Sequence, residues 1–155
     1  MLIQLHRKSL MHRLKSHQRK VVRMEVTVEN VQSRLEQFGY NVQSTDTAAI
    51  KFCLDNAVSQ IEAAIAQSEI PEQMECAAID MAVGLFLQQK KMWDTASFTD
   101  LIDLDGAVAS ITEGDASVSF NTSGSMTDEQ KLDAFISYLL NEAPSMYASF
   151  RKLRW

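Results

Sequence analysis

Residues 44–65, STDTAAIKFCLDNAVSQIEAAI, carry the clearest secondary-structure signal in the chain. Their apolar side chains recur every three or four positions, at Ile50, Cys53, Leu54, Ala57, Val58, Ile61, Ala64 and Ile65. This spacing places them on one face of an α-helix. Ser44, Thr45 and Asp46 are typical of a helix start. The stretch therefore predicts a long amphipathic helix, and the segments that cover its apolar face decide the rest of the fold.

A shorter helix is predicted on the N-terminal side of this stretch. Thr27 is suited to its N-cap, and Gly39 is suited to its C-cap. Between them the apolar residues again lie three or four positions apart, at Val28, Val31, Leu35 and Phe38.

A third helix is predicted from Pro71 onward, because proline suits the first turn of a helix. Its apolar face consists of Met74, Ala77, Ala78, Met81, Leu85 and Phe86. Ile79, Val83 and Leu87 widen this face. A helix that is apolar on more than one side lies at the centre of a bundle or is covered by a second copy of the chain.

The C-terminal part of the chain predicts two more helices. Thr127 and Gln130 match a capping box. The helix after them has apolar residues at Leu132, Phe135, Ile136, Leu139 and Leu140. Pro144 predicts a break in the chain's helical path. A final short helix would then carry Met146, Tyr147, Phe150 and Leu153.

Residues 93–125 depart from the helical pattern. Residues 108–112 and 117–120 resemble two short strands around a turn at 113–116, which is typical of a β-hairpin. The aspartates of residues 94–105 lack the ligand spacing of an EF-hand, so they predict a solvated acidic loop. The expected fold is mainly α: a small helical bundle with a short β-hairpin insertion, at about 106–121, before the C-terminal helices.

Charge divides the chain at Met24. Residues 1–23 hold seven cations and no acid, whereas residues 24–155 hold eight cations and twenty acids, a net charge of −12. Residues 1–23 are thus a basic N-terminal extension to a domain at 24–155. The extension is either a working arm for phosphates, a membrane surface or an import receptor, or the product of a start site assigned upstream of Met24. Residues 19–23 can be encoded by purine-rich codons of the kind that form a ribosome-binding site just ahead of a start codon. Such codons would favour a true start at Met24.

The sequence contains no arrangement that favours catalysis. All three histidines lie in residues 1–23, six and five positions apart, and do not share a helix face for a metal ion. No Gly-rich phosphate loop, nucleophile elbow or His-Glu-x-x-His motif is present. Glu113 and Asp115 flank a glycine and are more simply exposed turn residues than an acid–base pair. We therefore expect no enzyme activity, no metal and no cofactor.

Cysteine use and hydropathy suggest a cytosolic setting. Cys53 and Cys76 are predicted to be reduced packing residues on apolar helix faces. No apolar run approaches the roughly 20 residues that cross a bilayer, and the first residues lack the features of a secretory signal. We expect no membrane partner.

The chain closes on the basic and aromatic sequence Phe150-Arg151-Lys152-Leu153-Arg154-Trp155. Trp and Arg are the residue types that most often anchor a protein interface. These residues form a docking segment, or else Trp155 folds back onto its own core.

Four features in order resemble the tailed-phage head–tail connector (adaptor) proteins. They are Ile70-Pro71-Glu72, the helix sequence Ile79-Asp80-Met81-Ala82-Val83-Gly84, the predicted hairpin sequence SITEGDASVSF at 110–120, and the ending at 150–155. The likeness covers residues 24–155, and residues 1–23 depart from the family pattern. This departure supports the start-site interpretation.

The resemblance implies a non-catalytic virion protein, present in the host cytoplasm during assembly. Such proteins form a ring, here of roughly twelve subunits, beneath the portal after DNA packaging. The ring links the portal protein to the stopper and tail, and DNA passes through its lumen without specific binding. The net charge of −12 on residues 24–155 agrees with this, although solubility explains it equally well.

The resemblance also assigns candidate sites. Phe150, Arg151, Lys152, Leu153, Arg154 and Trp155 would dock on the portal. A neighbouring subunit or the tail side would be contacted by hairpin residues Ile111, Glu113, Gly114, Asp115, Val118 and Phe120. The surplus apolar surface at Ile79, Val83 and Leu87 would form the ring interface, unless it belongs to the monomer core.

The alternative is a small helical nucleic-acid-binding regulator that uses the basic N-terminal arm. A helix that reads DNA presents Arg, Lys, Asn or Gln along one exposed face, but the helices after Met24 carry few cations. An enzyme of unfamiliar type is the third possibility.

Overall fold

The computed structural model describes residues 26–93, 102 and 127–152. Over these residues the chain forms four α-helices: α1 at Val28–Gln37, α2 at Thr47–Ile65, α3 at Glu75–Trp93 and α4 at Asp128–Phe150. A short 3-10 turn at Ser44–Asp46 precedes α2, and another at Glu72–Met74 precedes α3. The described part of the chain is mainly helical, as the sequence predicts.

The helix ends follow from local sequence. Thr27 Oγ1 accepts a hydrogen bond from the Asn30 amide at 3.3 Å and so caps α1. After α1, Gly39 has a φ of 82°, a left-handed conformation that glycine adopts without steric cost. Thr127 and Gln130 exchange bonds of 3.3 and 3.1 Å in a capping box before α4. These caps were all predicted.

Helix α3 is the central element of the bundle. It packs against α1, α2 and α4. Because neighbours surround it, apolar residues are buried around most of its circumference, from Ala77 to Leu87. Ile79, Val83 and Leu87 lie inside this core, at 4% exposure or less. These three side chains therefore belong to the monomer core, which is the alternative that the sequence left open for them.

A glycine allows α3 and α4 to approach closely. A Cβ atom at Gly84 would lie 3.0 Å from Leu140 Cδ2 and 3.1 Å from Leu139 Cβ. The absence of a side chain at residue 84 lets the two leucines of α4 pack against the α3 backbone. Aromatic contacts complete the core, with the rings of Phe38 and Phe135 edge to face at 4.8 Å between centroids.

Helix α4 runs through Pro144 without interruption, so the predicted break and separate final helix are wrong. Proline removes one backbone hydrogen bond and costs roughly 3 kcal/mol in a helix interior. Here the apolar face on both sides of Pro144 packs on the same core, with Leu139 and Ala143 buried before it and Tyr147 and Phe150 half-buried after it. Burial along this continuous face outweighs the local cost. Leu153, which the final helix was expected to carry, lies outside the described residues.

The two cysteines differ in environment. Cys53 is buried on α2, its thiol donates to Gln89 Oε1 at 3.6 Å, and burial raises the pKa of that thiol. Cys76 is exposed, so its expected place on an apolar face is wrong. Residue 76 lies on the outer side of α3, where the helix begins.

Candidate docking surface

Helix α4 ends at a corner of the bundle. Its last residue, Phe150, is half-buried against the core. The chain then leaves the helix in an extended conformation at Arg151, whose amide donates to the Tyr147 carbonyl at 3.0 Å. The side chains of Arg151 and Lys152 are exposed.

Two hydrogen bonds join this segment to the end of α2. The Lys152 amide donates to the Ile65 carbonyl at 2.9 Å, and Gln67 Nε2 donates to the Phe150 carbonyl at 2.6 Å. We call residues 65–67 and 150–152 together the C-terminal corner. The corner fixes the backbone of the basic segment against a second helix as far as Lys152.

The turn that closes α2 places Gln67 in this corner. Ala66 has a φ of 55°, in the left-handed region, and the Gln67 amide donates to the Glu62 carbonyl at 3.1 Å. This is the hydrogen-bond pattern of a Schellman cap, which usually contains glycine at the left-handed position. Sequence reasoning missed the cap because alanine gives no such signal.

Electrostatics favour cations at the corner. The carbonyl groups at the ends of α2 and α4 carry the negative ends of the two helix dipoles, and Arg151 and Lys152 lie beside them. Their exposed side chains can form charge-assisted hydrogen bonds with carboxylates on another molecule. Leu153, Arg154 and Trp155 follow in sequence and lie outside the described residues.

The hairpin predicted at about 106–121 also lies outside the described residues. The predicted contact residues of this hairpin are therefore outside them too: Ile111, Glu113, Gly114, Asp115, Val118 and Phe120. The same holds for the extension at 1–23.

Three large apolar side chains are exposed on the described surface: Phe52 at 66%, Met92 at 78% and Trp93 at 81%. Sequence reasoning did not select them. A signal was present for Phe52, because it is the one large apolar residue of α2 outside the three-to-four-residue repeat. Exposed apolar side chains of this size are candidates for protein contact.

A charged cluster joins three helices away from the corner. Arg34 of α1 binds Asp80 of α3 through Nε to Oδ1 at 2.7 Å and Nη2 to Oδ2 at 3.2 Å. Asp80 is only 7% exposed, and its negative charge acts on the carboxyl group of Glu142 of α4. Burial, followed by repulsion from Asp80, raises the pKa of Glu142 to about 6. The cluster ties α1 to the α3–α4 pair.

A second ion pair fixes the start of α2. Lys90 Nζ lies 2.6 Å from Asp46 Oδ1, and the Tyr40 hydroxyl donates to Asp46 Oδ2 at 2.9 Å. Burial opposes ionisation of Asp46, but its bonds from Lys90, the Gln43 amide and Tyr40 hold its pKa below the ordinary range. Asp46 therefore acts as a buried, ionised anchor between the loop after α1 and helix α3.

Comparisons of the chain with known proteins were negative. No protein-family model, curated protein or solved structure matches it. Within residues 26–93 and 127–152, no helix has the length and apolar character needed to cross a membrane. The same residues contain no group of three or more His, Cys, Asp or Glu side chains placed to hold a metal ion.

Proposed function

We propose that this chain is a head–tail connector subunit of a tailed phage, which forms a ring and docks on the portal through residues 150–155. One observation carries the proposal. Residues 150–152, which begin the basic and aromatic segment, leave the helical bundle at a corner where the Lys152–Ile65 and Gln67–Phe150 bonds hold their backbone. A docking segment held in this way retains less conformational freedom to lose on binding.

The chemistry of the segment defines the partner surface. Arg151, Lys152 and Arg154 suit carboxylates, whereas Trp155 suits an apolar pocket. A pocket rimmed by acids between two portal subunits would satisfy both. Repetition of the contact around a ring would add avidity, so each single contact need not be strong.

The surface charge of the described helices supports a connector over the alternative regulator. Four of the five cations on the described helices pair with a carboxylate, namely Arg34, Lys90, Lys91 and Lys131. Paired cations are poorly placed to bind phosphates, and the net charge of −12 on residues 24–155 repels DNA. A ring lumen through which DNA slides benefits from both properties.

Deletion of the gene tests the proposal most directly. We expect electron micrographs of the mutant particles to show DNA-filled heads without attached tails, because packaging precedes connector assembly in this scheme. The matched control is the same strain with the gene supplied from a plasmid, which should restore tailed virions. Normal tailed virions in the deletion strain would refute the connector function.

A further inference from the structure

We propose that Gln67 is a positioning residue, which sets the direction in which residues 150–152, the start of the docking segment, leave the bundle towards an acidic partner surface. This inference rests on the proposed function, since it concerns the same docking segment. It assigns a role to a residue on α2's cap, 83 positions away from its partner Phe150 in sequence.

The geometry singles out the Gln67 side chain. Its amide group donates to the Phe150 carbonyl, which belongs to the last turn of α4, at 2.6 Å. Helix-end carbonyls have no partner within their own helix, so this bond satisfies a group that would otherwise depend on water. Gln67 is half-buried and thus has little freedom to turn elsewhere.

A second hydrogen bond fixes the orientation of residues 150–152 relative to α2. The Lys152 amide donates to the Ile65 carbonyl, which is itself an end carbonyl of α2. Two bonds on alternate residues of one segment define both its position and its orientation, whereas a single bond would allow rotation. The side chains of Arg151 and Lys152 are consequently presented in a fixed relation to α2.

The left-handed conformation of Ala66 allows Gln67 to reach α4. Continuation of α2 as a helix would place residue 67 about 3 Å further along the helix axis than Ile65. The φ of 55° at Ala66 reverses the chain and returns Gln67 towards α4. A non-glycine residue in this conformation carries a steric cost, which the two helix-end bonds help to offset.

The first experiment measures the corner itself in the full chain. Gln67→Met keeps the length and neutrality of the side chain but removes its donor. Amide hydrogen exchange at Lys152 should become roughly fivefold faster, as expected for loss of one hydrogen bond of ordinary strength. Trypsin cleavage after Arg151 and Lys152 should accelerate similarly.

Gln60→Met, on the exposed face of α2, is the matched control and should leave both rates unchanged. An unchanged exchange rate at Lys152 in Gln67→Met would overturn the proposal.

The second experiment measures docking on purified portal rings of the same phage. Gln67→Met should weaken binding by roughly two- to fivefold per subunit, because the segment must be ordered during binding. Gln67→Lys restores a donor and should recover both the exchange rate and the affinity. Faster exchange at Lys152 with unchanged portal affinity would refute the positioning role. Truncation after Ser149 separates the two hypotheses, since full portal binding without residues 150–155 would refute the proposed docking mode itself.

Discussion

The carboxyl group of Glu142 makes the stability of the fold depend on pH. Its pKa rises from an ordinary 4.5 to about 6, mainly through burial and then through Asp80, while Arg34 opposes the rise. The folded state therefore holds a proton that the unfolded state releases in this range, and stability falls as pH increases through it. We expect Glu142→Gln to raise the free energy of unfolding by about 1 kcal/mol near neutral pH, after allowance for solvent screening, with no difference from the parent well below pH 4.5. Urea denaturation at both pH values measures this.

Glu36→Gln provides the matched control for this substitution. Glu36 is exposed on α1, so its neutralisation should change stability by less than about 0.5 kcal/mol at either pH. Equal stabilisation by the two variants at neutral pH would show that general charge reduction, and not the environment of Glu142, is responsible.

The contacts within the charged cluster of Arg34, Asp80 and Glu142 could not be predicted from the sequence. Arg34, Asp80 and Glu142 lie on three different helices, and only tertiary packing brings them together. A partial signal existed, because Asp80 interrupts an otherwise apolar run between Ile79 and Met81. Such a signal predicts a buried charge but not the identity of its partner.

The caps of the helices are the features that local sequence determines best. Thr27, Gly39 and the Thr127–Gln130 box were predicted because each depends on residues within one turn of the chain. The path of α4 through Pro144 was mispredicted because its apolar face is stabilised by distant residues of the core. The close contact at Gly84 was likewise hidden, since a glycine within a helix gives no indication of its neighbour.

The left-handed cap of α2 provides a prediction at the scale of the helix. Ala66 has a φ of 55°, a conformation in which an alanine Cβ is crowded and glycine is not. We expect Ala66→Gly to stabilise the protein by about 0.5–1 kcal/mol, the steric gain being partly offset by the greater freedom of glycine in the unfolded chain. Thermal unfolding measures the change.

Ala63→Gly is the control, because it lies within α2 and only three residues away. In a helical conformation glycine has no steric advantage, so this variant should lose up to about 1 kcal/mol. Opposite signs for the two variants are expected. Destabilisation by Ala66→Gly would contradict the left-handed cap.

At the scale of the whole molecule, the sequence left the wide apolar surface of α3 ambiguous. A helix that is apolar around its circumference is compatible both with a central place in a bundle and with burial by a second subunit. The structure resolves this for Ile79, Val83 and Leu87, since α1, α2 and α4 already enclose α3. For the proposed interface between subunits, Phe52 of α2 is an exposed candidate.

Assembly of the proposed ring gives the last prediction. If subunits associate through the exposed face of α2, Phe52→Asp should prevent ring formation by purified protein while leaving the helical circular dichroism unchanged, because Phe52 is 66% exposed. Val83→Asp is the matched variant in the core. It places an unpaired charge at a fully buried position and should cost at least about 3 kcal/mol, enough to reduce the helical signal itself. Analytical ultracentrifugation and negative-stain microscopy of wild type and both variants distinguish the cases. Rings formed by Phe52→Asp would exclude the α2 face as the interface. Wild-type protein that forms only closed dimers would contradict the proposed ring, because a ring requires head-to-tail contacts between subunits.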